Sequence, residues 1–319
     1  MIVAIIVMLF SFYIAPVRSF ADTAKPPAPP PAASTSYADS MPEMKKPKYK
    51  RMIPSASTLK KLKDQAKKYT SAQIDTNLKK LPTKYYGNDP KAIFTSIDNR
   101  RDNTSKSEFE TEKQFQERIE KENSLPIIGK ISLDDIWSLQ ANGTRFEYSA
   151  DTAEMNIYLD LGYDYIFFNE KNQKAISLSS VEINYGSYTA SNSYGARTVV
   201  KSSDHERYAA IPYNYHEFPY VDAGSKNYIV LKISVGITEA IKTKNDMRVL
   251  LIAELIYPLI SEKERYREAT FSSPYTGLNL DRYIHINLNE IWIYNQKTGQ
   301  IYSKIRKSVP VEASEKNTQ

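Results

Sequence analysis

Apolar and polar positions change their spacing along the chain, and each change predicts a different kind of element. An almost unbroken apolar run from Ile2 to Ala15 ends at Pro16. Further on, Leu59, Leu62, Ala66 and Tyr69, then Ile74, Leu78 and Leu81, follow helical spacing, which predicts a helix with one break near Thr70 and Ser71 and a stop at Pro82. Thr111 and Gln114 have capping-box form, in which hydroxyl and amide satisfy the free N–H groups of a helix start. That second helix carries Phe115 and Ile119 on one face and ends before Leu125 and Pro126. Phe109 and Phe115 are expected to tuck into the fold, leaving Arg118 to cap carbonyls or pair with a carboxylate.

After Pro126 the period falls to two, in short runs rich in Tyr, Ile, Val and Leu separated by Asn, Asp, Gly and Ser. Strands are predicted at 145–149, 154–161, 176–185, 196–201, 207–211, 228–235, 248–257, 283–288, 290–294 and 300–305. Asn295 to Gly299 reads as a hairpin turn whose glycine takes a positive φ. Val249 to Ala253 is apolar at every position, which marks a central strand covered on both faces, with a helix as the alternative. The predicted fold class is α+β: N-terminal helices after a disordered spacer, then a mainly antiparallel, sandwich-like sheet domain.

The ends read differently. Ser19 and Ala21 stand at the two positions a signal peptidase inspects, so residues 1–21 read as an export signal whose apolar core is short for a membrane span. No Lys or Arg precedes the run, and Arg18 follows it, so an inner-membrane anchor through residues 1–17, with the chain facing the periplasm, is the alternative. Residues 22–56, stiffest from Lys25 to Pro31, form a Pro-, Ala- and Lys-rich spacer. The remaining divisions are a helical segment at 57–125, the antiparallel domain at 126–307 and a polar, fraying tail at 308–319.

Composition narrows the chemistry. The chain has 319 residues and no cysteine, so the fold relies on packing without disulfides, and thiolate metal sites, cysteine nucleophiles and a lipid-modified N-terminal cysteine are excluded. The formal charge is +6, with the basic excess largely between Lys45 and Lys68. Lys60, Lys61, Lys63, Lys67 and Lys68 oppose the apolar stripe of the first helix, as a helix lying on anionic phospholipid or another polyanion would have it; the plainer reading is a solvated face. No nucleic-acid partner is expected, because export argues against one.

Histidine is the natural acid–base residue near neutral pH, and the chain offers only His205, His216 and His285. His205 and Glu206, like His216 and Glu217, point to opposite faces of any strand, so neither pair shares a metal, and no metal or cofactor is expected. His285 shares a face with Tyr283 and Asn287, the polar side of a strand. No G-x-S-x-G elbow, P-loop or G-x-G-x-x-G is present. Asp134 with Asp135, and Glu262 with Glu264, read as helix starts and solvated loops before they read as a glycosidase dyad. Aromatic residues remain: of 24 tyrosines, Tyr208, Tyr213, Tyr215, Tyr220 and Tyr228 crowd around His216 between Pro212 and Pro219. Tyr208, Tyr213, Tyr215, His216 and Tyr220 make a candidate recognition surface for a protein or glycan; the alternative is that the rings pack over a sheet edge.

Phe109, Thr111, Phe115 and Arg118, followed by Phe146 to Asp151 and Met155 to Leu159, resemble a loose group of exported bacterial proteins of unknown function, in which an F-E-T-x-x-x-aromatic-x-x-R helix precedes a Y-x-A-D turn and strand. The resemblance spans about residues 105–160, with a weaker echo at Ile291 to Gly299. It implies a packing and capping element and no activity. Lys106 and Ser107 stand where that group often has glycine.

Together these features predict an exported, non-catalytic binding or assembly protein of the bacterial cell envelope, periplasmic or secreted, with an envelope protein as partner and membrane contact through the basic helix. The alternative is an envelope glycan hydrolase using carboxylates, built around Glu206, Glu217 and His216.

Overall fold

The computed structural model describes residues 53–54, 56–100, 107–162, 166–168, 171–191, 195–222 and 227–307. The predicted export signal, nearly all of the spacer and the tail lie outside these residues. Three helices come first: α1 (Ala56–Ala66), α2 (Pro90–Asp98) and α3 (Glu112–Ser124). Twelve strands follow: β1 (Trp137–Ala141), β2 (Thr144–Ser149), β3 (Glu154–Asp160), β4 (Ile166–Phe168), β5 (Lys171–Gln173), β6 (Ile176–Ser191), β7 (Arg197–Pro212), β8 (Tyr220–Asp222), β9 (Asn227–Ser234), β10 (Met247–Arg267), β11 (Tyr275–Asn295) and β12 (Ile301–Arg306). A short helix, α4 (Ile237–Thr243), precedes β10. The fold is α+β and β-rich, as predicted.

The larger sheet has the order β1-β10-β11-β7-β6, with β12 added to the far end of β11. All its pairings are antiparallel except β7 with β11. A second antiparallel sheet, β2-β3-β9-β8, packs against it, and β4-β5 is a separate hairpin. Alternation along β3 and β9 sends Met155, Ile157, Leu159, Ile229, Leu231 and Ile233 into the interface, where they join Leu139, Val249, Leu251, Ile291 and Ile293 in one buried cluster. This is a β-sandwich core.

Val249 to Ala253 is fully buried, and β10 lies between β1 and β11, so the helical alternative falls and the central-strand reading holds. Its outer face carries Leu250 and Ile252, which with Trp292 and Tyr294 of β11 are covered by Ile74 and Leu81. The helix predicted through Leu81 therefore ends at Ala66. Beyond it the helical ladder is replaced by a local turn at 75–78 and by bonds to the β11–β12 turn: Leu81 N–H donates to Gly299 O at 2.8 Å and Lys84 N–H to Gln296 O at 2.7 Å. The apolar spacing was a spacing of burial, satisfied by an extended segment lying across a sheet. Gly299, at φ +77°, takes the predicted left-handed turn, and a Cβ there would collide with the Leu81 carbonyl.

Helix α2 was not predicted as an element. Asp89 caps it, Pro90 occupies its first turn, and Ile93, Phe94 and Ile97 enter the main core. Helix α3 forms with the predicted capping box of Thr111 and Gln114, yet has no buried residue. Phe109 is 90% exposed, against the expectation that it tucks in. Arg118 takes Glu110 in a two-point pair at 2.9 and 2.8 Å and lies over the Phe115 ring, so this motif satisfies itself and leaves the core to others. Several strands run longer than predicted, because polar residues in β6, β7, β10 and β11 continue the ladder where the apolar alternation stops.

Candidate functional site

The candidate recognition residues do not form one surface. Tyr208 is fully buried. Alternation along β7 points it at α2, where its ring meets Phe94 edge-on at 6.2 Å and its hydroxyl donates to Glu206 at 3.0 Å while accepting from Arg282 at 2.8 Å. Tyr215 and Tyr220 meet edge-on at 5.1 Å and pack, half-buried, on the main core; the Tyr220 hydroxyl donates to Asn227 at 2.7 Å. Tyr213 and His216 stay exposed. Pro212 and Pro219 do interrupt the strands, but the turn between them closes one end of the sandwich.

Under α2, charges are set in pairs. Glu206 binds Lys91 at 2.7 Å and Arg282 at 3.3 Å, and Arg282 in turn binds Glu262 at 2.6 Å. Burial pushes the Glu206 carboxyl up, but the Lys91 and Arg282 charges and their hydrogen bonds hold it, on balance, below the usual carboxylate range. It stays ionised and is no general acid. Glu206 lies beside Leu280 in the ladder, whereas Asn214, partner of Glu217, bonds the backbone of Leu288. About eight strand positions, roughly 26 Å, separate the two carboxylates, far beyond the roughly 5–10 Å of a glycosidase dyad. The loop-built dyad is not assembled. Asp135 closes a turn onto Ser132, and Glu264 is exposed.

His285 is a second departure. It is fully buried, its Nδ1 facing the Tyr213 hydroxyl at 3.0 Å and its Nε2 the Ser261 hydroxyl at 2.8 Å. Burial lowers its pKa to about 4, so the ring is neutral at pH 7. The Ser261–His285 spacing is that of a nucleophile and base, but Ser261 is only 4% exposed and the third group is a phenol, so the arrangement serves packing. Among the described residues no group of three or more His, Cys, Asp or Glu is placed to hold a metal.

Two open features remain. One is a cleft of about 740 Å³ between α1, α2 and the sheet end, lined by Lys63, Lys68, Tyr69, Tyr86, Asp89, Lys91 and Arg248 among others. All five lysines of the predicted basic face are exposed; Lys63 and Lys68 line this cleft, Lys60 and Lys61 line a hollow of about 550 Å³ that also reaches Lys68, and Lys67 pairs with Asp64. The other is an arm. Beyond Ile183 in β6 and beyond Ser261 in β10 no strand residue is buried, and these ends extend with β7 and β11 past the sandwich. One face of the arm holds a groove of about 290 Å³ with Tyr188, Val200, Tyr266 and Phe271 in its walls. The opposite face carries Lys201, Arg207, Arg265 and Arg267, with Tyr275 between the Lys201 and Arg267 cations at 5.7 and 5.2 Å.

No family model, curated protein or solved structure matches this chain. Its site is therefore argued from its own geometry. No helix among the described residues is long and apolar enough to cross a membrane. Neither open feature was singled out from sequence. The arm had a partial signal: Ser187 to Ser191 keeps strand-favouring Tyr188 and Thr189 without an apolar face, whereas Glu262 to Arg267, with Tyr266 as its one strand-favouring residue, gives none. The cleft had half of one, in the lysines, whose other walls come from residues as near in sequence as Tyr86 and as far as Gln296.

Proposed function

We propose that this chain is an exported, non-catalytic assembly protein of the bacterial cell envelope, which meets its protein partner through the arm. The observation that carries the reading is the aromatic groove at the arm's tip: Tyr188, Tyr266 and Phe271 are 48, 49 and 62% exposed, the two tyrosines on the paired strands β6 and β10 and Phe271 in the turn after β10. Large rings held open on rigid backbone offer contact area at small entropic cost, and exposed apolar patches of this kind mark interaction sites. The apolar run at residues 2–15 and the small residues Ser19 and Ala21 support export; retention of that run as an anchor would keep the arm on the same side of the membrane.

The test is crosslinking in the envelope of a bacterial host expressing the full chain, followed by mass spectrometry, with Tyr188→Ser/Tyr266→Ser/Phe271→Ser alongside. A processed N-terminus at Asp22 and a stoichiometric envelope protein crosslinked by the native chain but lost with the variant are expected. A monomer without partner, or a partner retained by the variant, would overturn the reading and bring the glycan hydrolase forward.

A further inference from the structure

The cleft under α1 is independent of the arm and has a chemistry of its own. Three cations reach it from three separate elements: Lys63 from α1, Lys68 from the turn after it and Arg248 from the start of β10. Elsewhere Arg118 is set against Glu110 and Arg282 against Glu262, while Arg100 and Lys304 are set on backbone carbonyls; Lys63 and Lys68 are exposed at the rim of the cleft and Arg248 is half-buried. Here the one acid in the lining, Asp89, is committed as the N-cap of α2, accepting from the Lys91 N–H at 3.0 Å, and the Lys91 ammonium is turned away to Glu206. The Arg248 guanidinium donates to the carbonyls of Asn245 and Met247 through one nitrogen, leaving its other edge without a carboxylate. Asp89 lies near enough to Lys68 to offset part of its charge, and the cleft keeps a positive excess through Lys63 and Arg248.

The walls add a second requirement. Tyr69 and Tyr86 meet edge-on at 6.3 Å, and the Lys68 ammonium sits 4.9 Å from both ring centres, so cation and rings form one surface. At the sheet end the lining turns to amides and hydroxyls, among them Gln140, Asn142, Ser179 and Gln296. Rings, hydroxyl and amide groups, and an excess of cations in one concavity suit a hydroxylated ring bearing a negative group. We propose that the cleft binds a sugar carrying an anionic group, the carboxylate or phosphate held by Lys63, Lys68 and Arg248 and the ring set against Tyr69 and Tyr86.

The experiment is titration calorimetry on the full chain at physiological salt with three probes: glucose, glucuronic acid and glucose 6-phosphate. At least one anionic sugar should bind ten or more times tighter than glucose, the stronger of the two telling carboxylate from phosphate. Lys63→Ala/Lys68→Ala/Arg248→Ala should lose that binding at least tenfold, whereas Lys121→Ala/Lys130→Ala/Lys242→Ala, which removes the same charge from exposed positions elsewhere, should not. Arg248→Lys, which keeps the charge, should lose less than Arg248→Ala, and circular dichroism on each variant reports the fold. Equal binding of glucose, no binding of either anionic sugar, or equal loss in both triple variants would overturn the assignment.

Discussion

The β10–β11 hairpin has two halves that share one backbone pairing and differ in everything else. From Met247 to Ala253, paired with Leu288 to Asn295, apolar side chains are buried on both faces. From Glu262 to Arg267, paired with Gly277 to Arg282, β10 has no buried residue. The ladder continues through both, across register shifts at Ala253 and around Pro258, so hydrogen bonding alone does not separate them. What separates them is the presence of a second layer. One half is held by packing, the other by its neighbours in the sheet and by ion pairs whose net contribution is small.

The sharpest way to break this contrast is to remove volume from each half. Leu251→Ala, at a fully buried position between the two sheets, should cost about 3–5 kcal/mol by lost transfer and cavity. Tyr266→Ala, about half exposed in the arm, should cost under about 1 kcal/mol. Denaturant melts of both variants check the ratio, and native-state hydrogen exchange should show proximal amides opening only with global unfolding while those at 262–267 open locally.

At the boundary between the halves sits Glu206, and there the expected effect is next in size. Glu206→Ala leaves Lys91 and the buried side of Arg282 without their shared carboxylate, a loss of about 3 kcal/mol by the rule for broken buried pairs. Adding Arg282→Met should recover part of it, because the stranded charge is then gone as well. A double-mutant cycle by urea unfolding reads the coupling; additivity within about 0.5 kcal/mol would mean that the pairs are ornament and that α2 packing alone joins arm to sandwich.

His285 extends the comparison to pH. Its folded pKa of about 4 lies below the ordinary unfolded value near 6.5, so below that value the unfolded state binds more protons. Stability should be full above about pH 6.5, fall on the order of 2–3 kcal/mol as pH drops to about 4, and level off below. Melts of the native chain and of His285→Asn across this range check the sign, since the variant should lose most of the slope.

How far these features could be read from sequence follows the same division. Period-two alternation locates β2, β3 and β9 because burial on a fixed face writes it there, whereas an unbroken apolar run locates the proximal half of β10, which is buried on both faces. Alternation breaks where polar residues continue a ladder: β7 is read as two strands with Ser202 to Glu206 between them, and β11 as two strands parted at Asn289, with Tyr275 to Arg282 not read as strand. The run from Ile74 to Leu81 was read as helix because helical spacing and a strap across a sheet face both bring apolar groups to one side. His285 is placed by sequence on the polar side of a strand, and its full burial is not legible there because a sequence does not show which polar neighbours will wrap it. The candidate site fared worst for a physical reason: the cleft joins positions 63–96 to 140–142, 178–181, 248 and 296, and no local pattern encodes such a meeting.

The smallest effect sharpens the contrast from the arm's side. Asp281 is 5% exposed and takes Arg207 at 2.6 Å and Arg265 at 2.9 Å, whose own side chains are 58 and 53% exposed. If ion pairs held the arm as packing holds the sandwich, either arginine would be costly to lose. Solvent screening and the entropy of two long side chains argue otherwise: Arg265→Ala should change stability by about 0–1 kcal/mol, because Arg207 remains on the carboxylate. Arg207→Ala/Arg265→Ala should cost more than the sum of the singles, since only the double variant leaves a nearly buried carboxylate without its cations. The same melts in high salt should shrink the single-variant effects further. A single substitution costing as much as Leu251→Ala would mean that charge, and not the neighbouring strands, keeps the arm in shape.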